Sequence, residues 1–396
     1  MASAIDELPS SLEMVKDDVI RWRRHLHRNP ELFFEEEETS RFVYDTLQQF
    51  AGLEVSRPTK TSVLARLTGG FPGPVLALRA DMDALPIQEE TVFEFASRVP
   101  GKMHACGHDG HTAILLGTAR VLAQVRERIH GEVRFIFQHA GELHPGGARD
   151  LVEAGVMEWV DGVVGLHLWS PLPVGQIGLK AGAVLAAPDE FFITIRGRGG
   201  HAAQPEVLVD PIVTAAQVVI NLQHVVSRQT DPLEPVVLSV TQFHAGTAHN
   251  VIPPKVEING TVRTFNPALR AEVPRLMERV IRGVTAAHGA DYELRYEEGY
   301  NPVINDGPIT ARVREVLIQA FGANAVREAR PHMGGEDFSA YQAVCPGTFF
   351  YVGCSDPEKG HCPHHHPLFT INEESLAVGV KAFIHIALRL PGEDAL

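Results

Sequence analysis

The chain has 396 residues, 44% of them hydrophobic and 21% charged. That length and balance fit a folded protein of two domains and exclude a wholly disordered one. Lys and Arg number 35 against 49 Asp and Glu, a formal net charge of −14. The sign argues against nucleic acid or an anionic membrane as the main partner.

In chain order, Leu12, Val15, Val19, Trp22 and Leu26 recur at helical spacing until Asn29-Pro30 stops the run. A second helix passes through Phe42 and Leu47 to Gly52, with the acidic run Glu35 to Glu38 as its solvated start. Strands at 63–67, 75–79, 133–137 and 163–166 alternate with helices at 110–129 and 147–153, which predicts an α/β sheet. From Ala187 the order becomes strand, helix, strand, strand, helix, strand (191–196, 210–227, 236–243, 256–265, 267–288 and 292–297), the split motif of a ferredoxin-like sandwich. After Tyr300 helix and strand return, ending in a helix at 376–390. The expected architecture is a discontinuous domain, 1–186 plus 300–396, with 187–299 inserted.

No run approaches the roughly 18 apolar residues of a membrane helix. The amino terminus is acidic where a signal peptide would be basic and then apolar, so a cytoplasmic location is expected. Four cysteines (Cys106, Cys345, Cys354 and Cys362) are too few for a disulfide scaffold. Histidine, with 20 copies, carries the information.

The densest polar segment runs from Met103 to Thr112 and holds His104, Cys106, His108, Asp109 and His111. Cys106 and His108 flank a glycine, so both can reach one point, and thiolate with imidazole suits zinc or another borderline-soft divalent ion. Asp81 and Asp83, Glu142, and His167 each follow a predicted strand, on the edge where open α/β sheets build their sites. Cys362-Pro-His-His-His-Pro367 adds further imidazoles. Gly197 to Ala202 fits G-x-G-x-x-A poorly, because Pro205 interrupts the helix that should follow, so a nicotinamide enzyme is not expected. The serine elbow G-x-S-x-G is absent.

These motifs together resemble the aminoacylase and glutamate-carboxypeptidase family of two-metal peptidases, in its branch of hippurate and auxin-conjugate hydrolases. The resemblance rests on Arg79-Ala-Asp-Met-Asp-Ala-Leu-Pro86, the Met103–Thr112 segment, Gly200-His-Ala-Ala-Gln-Pro205, Asn250-Val-Ile-Pro253, Gly334-Gly-Glu-Asp-Phe338 and His365-His-Pro367. It implies a mixed-sheet zinc-peptidase-like catalytic domain with an inserted α+β lid and dimerisation domain. It also implies two divalent ions (zinc, manganese, cobalt or nickel) on Cys106, His108, Glu142, His167 and His365, with Cys106 bridging. Asp83 would orient a ligand histidine. His201, Asn250 and, more weakly, Arg263 and Glu336 would serve the substrate. The implied partners are a small carboxylate-bearing amide such as an N-acyl amino acid and a second copy of the chain.

In that family two adjacent glutamates follow the strand after the metal loop, the first the general base and the second a ligand. Here the segment is Phe137-Gln-His-Ala-Gly-Glu-Leu-His-Pro-Gly-Gly147, so Glu142 falls on the ligand and Gly141 on the base. Glycine can neither take nor give a proton. The glycine admits four explanations: a substitution introduced into the chain, a natural variant of reduced activity, a site in which Glu336, Asp83 or His144 takes over, or a former enzyme that now only binds metal and a carboxylate ligand.

Overall fold

A computed structural model describes residues 8–356 and 362–391. The chain divides into two compact units, one of 1–182, 304–330 and 337–396, the other of 183–303 and 331–336. Against the expected insertion of 187–299, the second unit therefore also takes in the short segment that ends at Glu336.

The first unit is built on an eight-stranded mixed sheet. Its order is Leu53–Ser56, Val63–Thr68, His130–Gln138, Phe71–Asp81, Gly162–Pro173, Gly347–Ser355, Ile177–Leu179 and Val326–Glu328. The four strands from His130–Gln138 to Gly347–Ser355 run parallel, and the two at the Leu53 edge are antiparallel. Parallel strands covered on both faces are apolar throughout rather than alternating, and every residue of Gly347–Ser355 is buried. The helix Leu8–Arg28 turns Val15, Val19, Trp22 and Leu26 inward at helical spacing. The helix His108–Gln124 is buried nearly all round and lies deep in the core.

Two local expectations need correction. The helix Glu37–Leu47 ends before Gly52, which sits in the following turn with φ +85°. The acidic run at its start is not all solvated, because Glu36 is fully buried while Glu35, Glu37 and Glu38 face water. A charge run reads as a solvated face from sequence, since nothing in it tells which member turns inward.

The second unit is a four-stranded antiparallel sheet, Val236–Ala245, Lys255–Thr264, Ala187–Arg196 and Asp291–Glu297, with the helices Pro211–Arg228 and Pro267–His288. Numbered along the chain, the order is second, third, first, fourth, as in a ferredoxin-like sandwich. Burial alternates residue by residue along Lys255–Thr264, the mark of a sheet packed on one face. Both helices begin with a proline in the first turn behind a capping Asp210 or Asn266, whose side chain accepts two backbone amides.

Candidate metal centre

The first unit gathers its polar residues at the carboxyl ends of the parallel strands. The strand Phe71–Asp81 delivers Asp81 and, just past it, Asp83. His167 lies within Gly162–Pro173, and the turn after His130–Gln138 carries Gly141 and Glu142. Gly107, with φ +96°, makes the left-handed step into the helix His108–Gln124, a conformation that favours glycine. That step lets the Cys106 and His108 side chains converge.

Two triads of donor atoms result. Cys106, His108 and His167 form one, and Cys106, Glu142 and His365 the other, with the donors of each within 4.8 Å of one another. Cys106 belongs to both. Its Sγ is 3.4 Å from His167 Nε2, while Glu142 Oε1 lies 3.6 Å from His108 Nε2 and 3.2 Å from His365 Nε2.

The second nitrogens of the rings are already engaged. His108 Nδ1 is 3.0 Å from Asp83 Oδ1, and His167 Nδ1 donates to the Leu168 carbonyl at 2.7 Å. Both Nε2 atoms are thereby left facing the cluster, which is how outer partners fix the tautomer of a metal-binding histidine. Burial and the neighbouring His111 and His364 hold the His167 imidazole well below its usual range, hence neutral, as a ligand must be. Burial pushes the Cys106 thiol well up, and the Glu142 carboxylate adds to that. Burial also acts against charge on His108, yet Asp81, Cys106 and Asp83 raise it well above the ordinary imidazole. Thiol, imidazole and carboxylate crowded in this way are the electrostatic complement of a divalent cation, and the donor types suit zinc or manganese.

A third group, Asp81, His108 and His111, also lies within ligating distance, but hydrogen bonding assigns His111 elsewhere. Its Nε2 accepts the Leu168 amide at 2.8 Å and its Nδ1 pairs with Asp81 Oδ1 at 2.6 Å. Asp81 Oδ2 in turn pairs with Arg79 Nη1 at 2.8 Å. Burial would raise the Asp81 pKa, but Arg79, His108 and His111 hold it well below the carboxylate range. This is a packed ion network, and the sequence, which placed Asp81 and Asp83 at a strand end, gave no sign of it.

Among the three carboxyl-terminal histidines, His365 is half-exposed and faces Glu142. His366 Nδ1 accepts the Leu368 amide at 3.1 Å. His364 stacks on Trp169, accepts the Ser170 amide through Nε2 at 3.2 Å, and points Nδ1 toward Cys106 Sγ at 3.9 Å.

The other expected site residues lie in the second unit. His201 and Asn250 are neighbours there: His201 pairs with Val251 in a two-stranded ribbon, and the Ala202 amide donates to the Asn250 carbonyl at 3.1 Å. Both are exposed. Arg263 lies on the strand Lys255–Thr264, and Glu336 is buried in the segment 331–336.

Comparison with known proteins agrees with this architecture. The chain belongs to the peptidase family M20/M25/M40, whose pattern it matches over residues 77–389. It is 64% identical over 300 residues to an N-acyl-L-amino acid amidohydrolase of Geobacillus stearothermophilus, covering 76% of this chain and 81% of the relative. An N-acetylcysteine deacetylase of Bacillus subtilis is 44% identical, with 93% of this chain and 96% of the relative covered. Among solved structures, a dinuclear metal binding peptidase of the same family from Bacillus subtilis superposes with a TM-score of 0.84 at 40% identity, over 96% of this chain and 99% of the other. The family expected from the order of the motifs is thus the family of the chain.

Proposed function

We propose that this protein is a metal-dependent amidohydrolase that cleaves the amide bond of N-acyl amino acids or related amides, and that Gly141 deprives it of a general base. The observation that carries the reading is the pair of donor triads sharing Cys106. The named activities of the relatives, an N-acyl-L-amino acid amidohydrolase and an N-acetylcysteine deacetylase, support the substrate class.

Two divalent ions would be held by Cys106, His108, Glu142, His167 and His365, and when bound they supply an acidified water and a polarised carbonyl. Asp83 orients His108 through Nδ1 and accepts the Glu142 amide at 2.9 Å, so one carboxylate aligns two ligands. By their match to the family's motifs, His201 is assigned to a substrate carbonyl or carboxylate and Asn250 to a further substrate contact.

The proton relay is where this chain falls short. A Cβ at position 141 would lie 3.3 Å from Asp83 Oδ1 and 3.5 Å from Asp81 Oδ2. Both of those carboxylates are committed, Asp83 to His108 and the Glu142 amide, Asp81 to Arg79 and His111. Neither replaces a free base, so turnover is expected to be weak.

The assembly we assign is a homodimer. On the helix Pro211–Arg228 the apolar Ile212, Val213, Ala216 and Ile220 are exposed, and Val236–Ala245 beside it is an edge strand with Phe243 exposed. No helix among the described residues is long and apolar enough to cross a membrane, and a cytoplasmic location is part of the proposal.

Equilibrium dialysis against zinc or manganese, followed by hydrolysis of an N-acyl amino acid panel with and without chelator, tests the reading. Two ions per chain and chelator-sensitive turnover are expected. Metal uptake with no turnover, even after Gly141→Glu, would instead favour a metal- and carboxylate-binding protein.

A further inference from the structure

Glu36 stands at the start of the helix Glu37–Leu47, fully buried in a run whose other members are exposed. Its Oε1 accepts the backbone amide of Ala140 at 2.7 Å. Its Oε2 is buried without a well-formed hydrogen bond, the Thr61 hydroxyl being the polar group nearest at hand. A carboxyl kept from water with one oxygen poorly satisfied is a cost to the fold, so its place calls for a reason. The reason lies at the other end of the hydrogen bond.

Ala140 has φ +50°, a left-handed conformation that an L side chain resists. Its carbonyl accepts the Gly147 amide at 3.1 Å. Two residues on, the Glu142 amide donates to Asp83 Oδ2 at 2.9 Å. The turn 140–142 is therefore held at its two ends by two carboxyls on different elements, Glu36 before residue 141 and Asp83 after it. Among the described residues beyond its chain neighbours, Asp81 and Asp83 come nearest to position 141, at 3.3 Å from where its Cβ would stand. A small rotation of the turn would thus change what residue 141 and Glu142 meet.

We propose that Glu36 is a positioning residue for the metal centre: by accepting the Ala140 amide from behind the turn, it fixes the direction in which residue 141 and Glu142 face the Cys106 cluster. The inference rests on the metal reading above, in which Glu142 is a ligand. The role asked of Glu36 is that of an acceptor, which its carboxyl fills whether or not it carries a proton. Burial and the nearby Asp83 push its carboxyl up to about 7, against the Ala140 amide, its own amide and the Thr61 hydroxyl. Glutamine, with the same reach and an acceptor oxygen, should serve in its place, and methionine, with similar bulk and no acceptor, should not.

The test compares the parent chain with Glu36→Gln and Glu36→Met. Zinc affinity is measured by competition with a chromophoric chelator, and backbone amide exchange is followed at 140–142. The glutamine chain should bind two ions within about threefold of the parent, and the methionine chain should lose at least about tenfold for one ion, with faster exchange at Glu142. Adding Ala140→Gly to the methionine chain, which removes the resistance to a left-handed turn, should recover part of the loss. Parent-like binding by Glu36→Met overturns the inference, as does an equal loss in Glu36→Gln or no recovery with Ala140→Gly. A parent chain that takes up no zinc overturns the metal reading itself, a result visible before any variant is made.

Discussion

Position 141 has an ordinary backbone: no left-handed φ calls for glycine there, unlike Gly107. A Cβ at 141 would stand 3.3 Å from Asp81 Cβ and Asp83 Oδ1, so those neighbours would have to give by a few tenths of an ångström. The glycine is therefore not explained by the turn, and Gly141→Glu should fold. Glu36 makes a separate prediction on pH. Its carboxyl is raised to about 7 by burial and by Asp83, with the Ala140 amide and the Thr61 hydroxyl opposing. A raised acid binds its proton more tightly when folded, so stability is fullest below the unfolded carboxylate range and declines as pH climbs toward 7. In the metal-free protein, Glu36→Gln should then be the more stable chain at pH 8, by at most about 3 kcal/mol. The gap should vanish below about pH 4. Denaturant melts at the two pH values check this, and a gap that widens in acid contradicts it.

At the scale of elements, the helix His108–Gln124 brings His108 into the site with its first residue, and its second residue anchors it. Asp109 is buried, with Oδ2 2.8 Å from Arg23 Nε and 2.7 Å from His27 Nδ1, both on the helix Leu8–Arg28. Removing one partner of such a pair strands the other charge, which costs about 3–5 kcal/mol. Asp109→Ala is expected to lose that much in chemical denaturation, while Glu153→Ala, in an exposed pair with Arg149, should lose under about 1 kcal/mol.

These same elements show how far the sequence could be read. Period-two and helical patterning marked the long strands and helices, and the order of elements marked the ferredoxin-like sheet. Short edge strands such as Leu53–Ser56 and Val326–Glu328 were missed, since four or three residues carry too little pattern. Residues that bind one another across the chain, such as Asp81 with His111, Glu36 with Ala140, or Arg79 with Asp337 at 2.8 Å, leave no local signal. The metal-type residues were legible through the motifs that carry the family resemblance, and so was Asp83 as the partner of a ligand histidine; the Leu168 carbonyl that holds His167 was not.

For the whole molecule, the exposed apolar stripe of Pro211–Arg228 makes assembly testable. Ile212→Asp with Ile220→Asp should turn a dimer into a monomer in sedimentation equilibrium, with the core residues Val218, Leu222 and Val225 untouched. A parent chain that is already monomeric contradicts the assigned surface. The most direct test of the central claim, an amidohydrolase short of its base, is hydrolysis of N-acyl amino acids by the parent and Gly141→Glu chains, both reconstituted with metal. Lost general-base catalysis usually costs about 10²–10⁴-fold, so the glutamate chain should be faster by at least about a hundredfold. Equal rates would show that another group takes the proton and that the account of Gly141 is wrong.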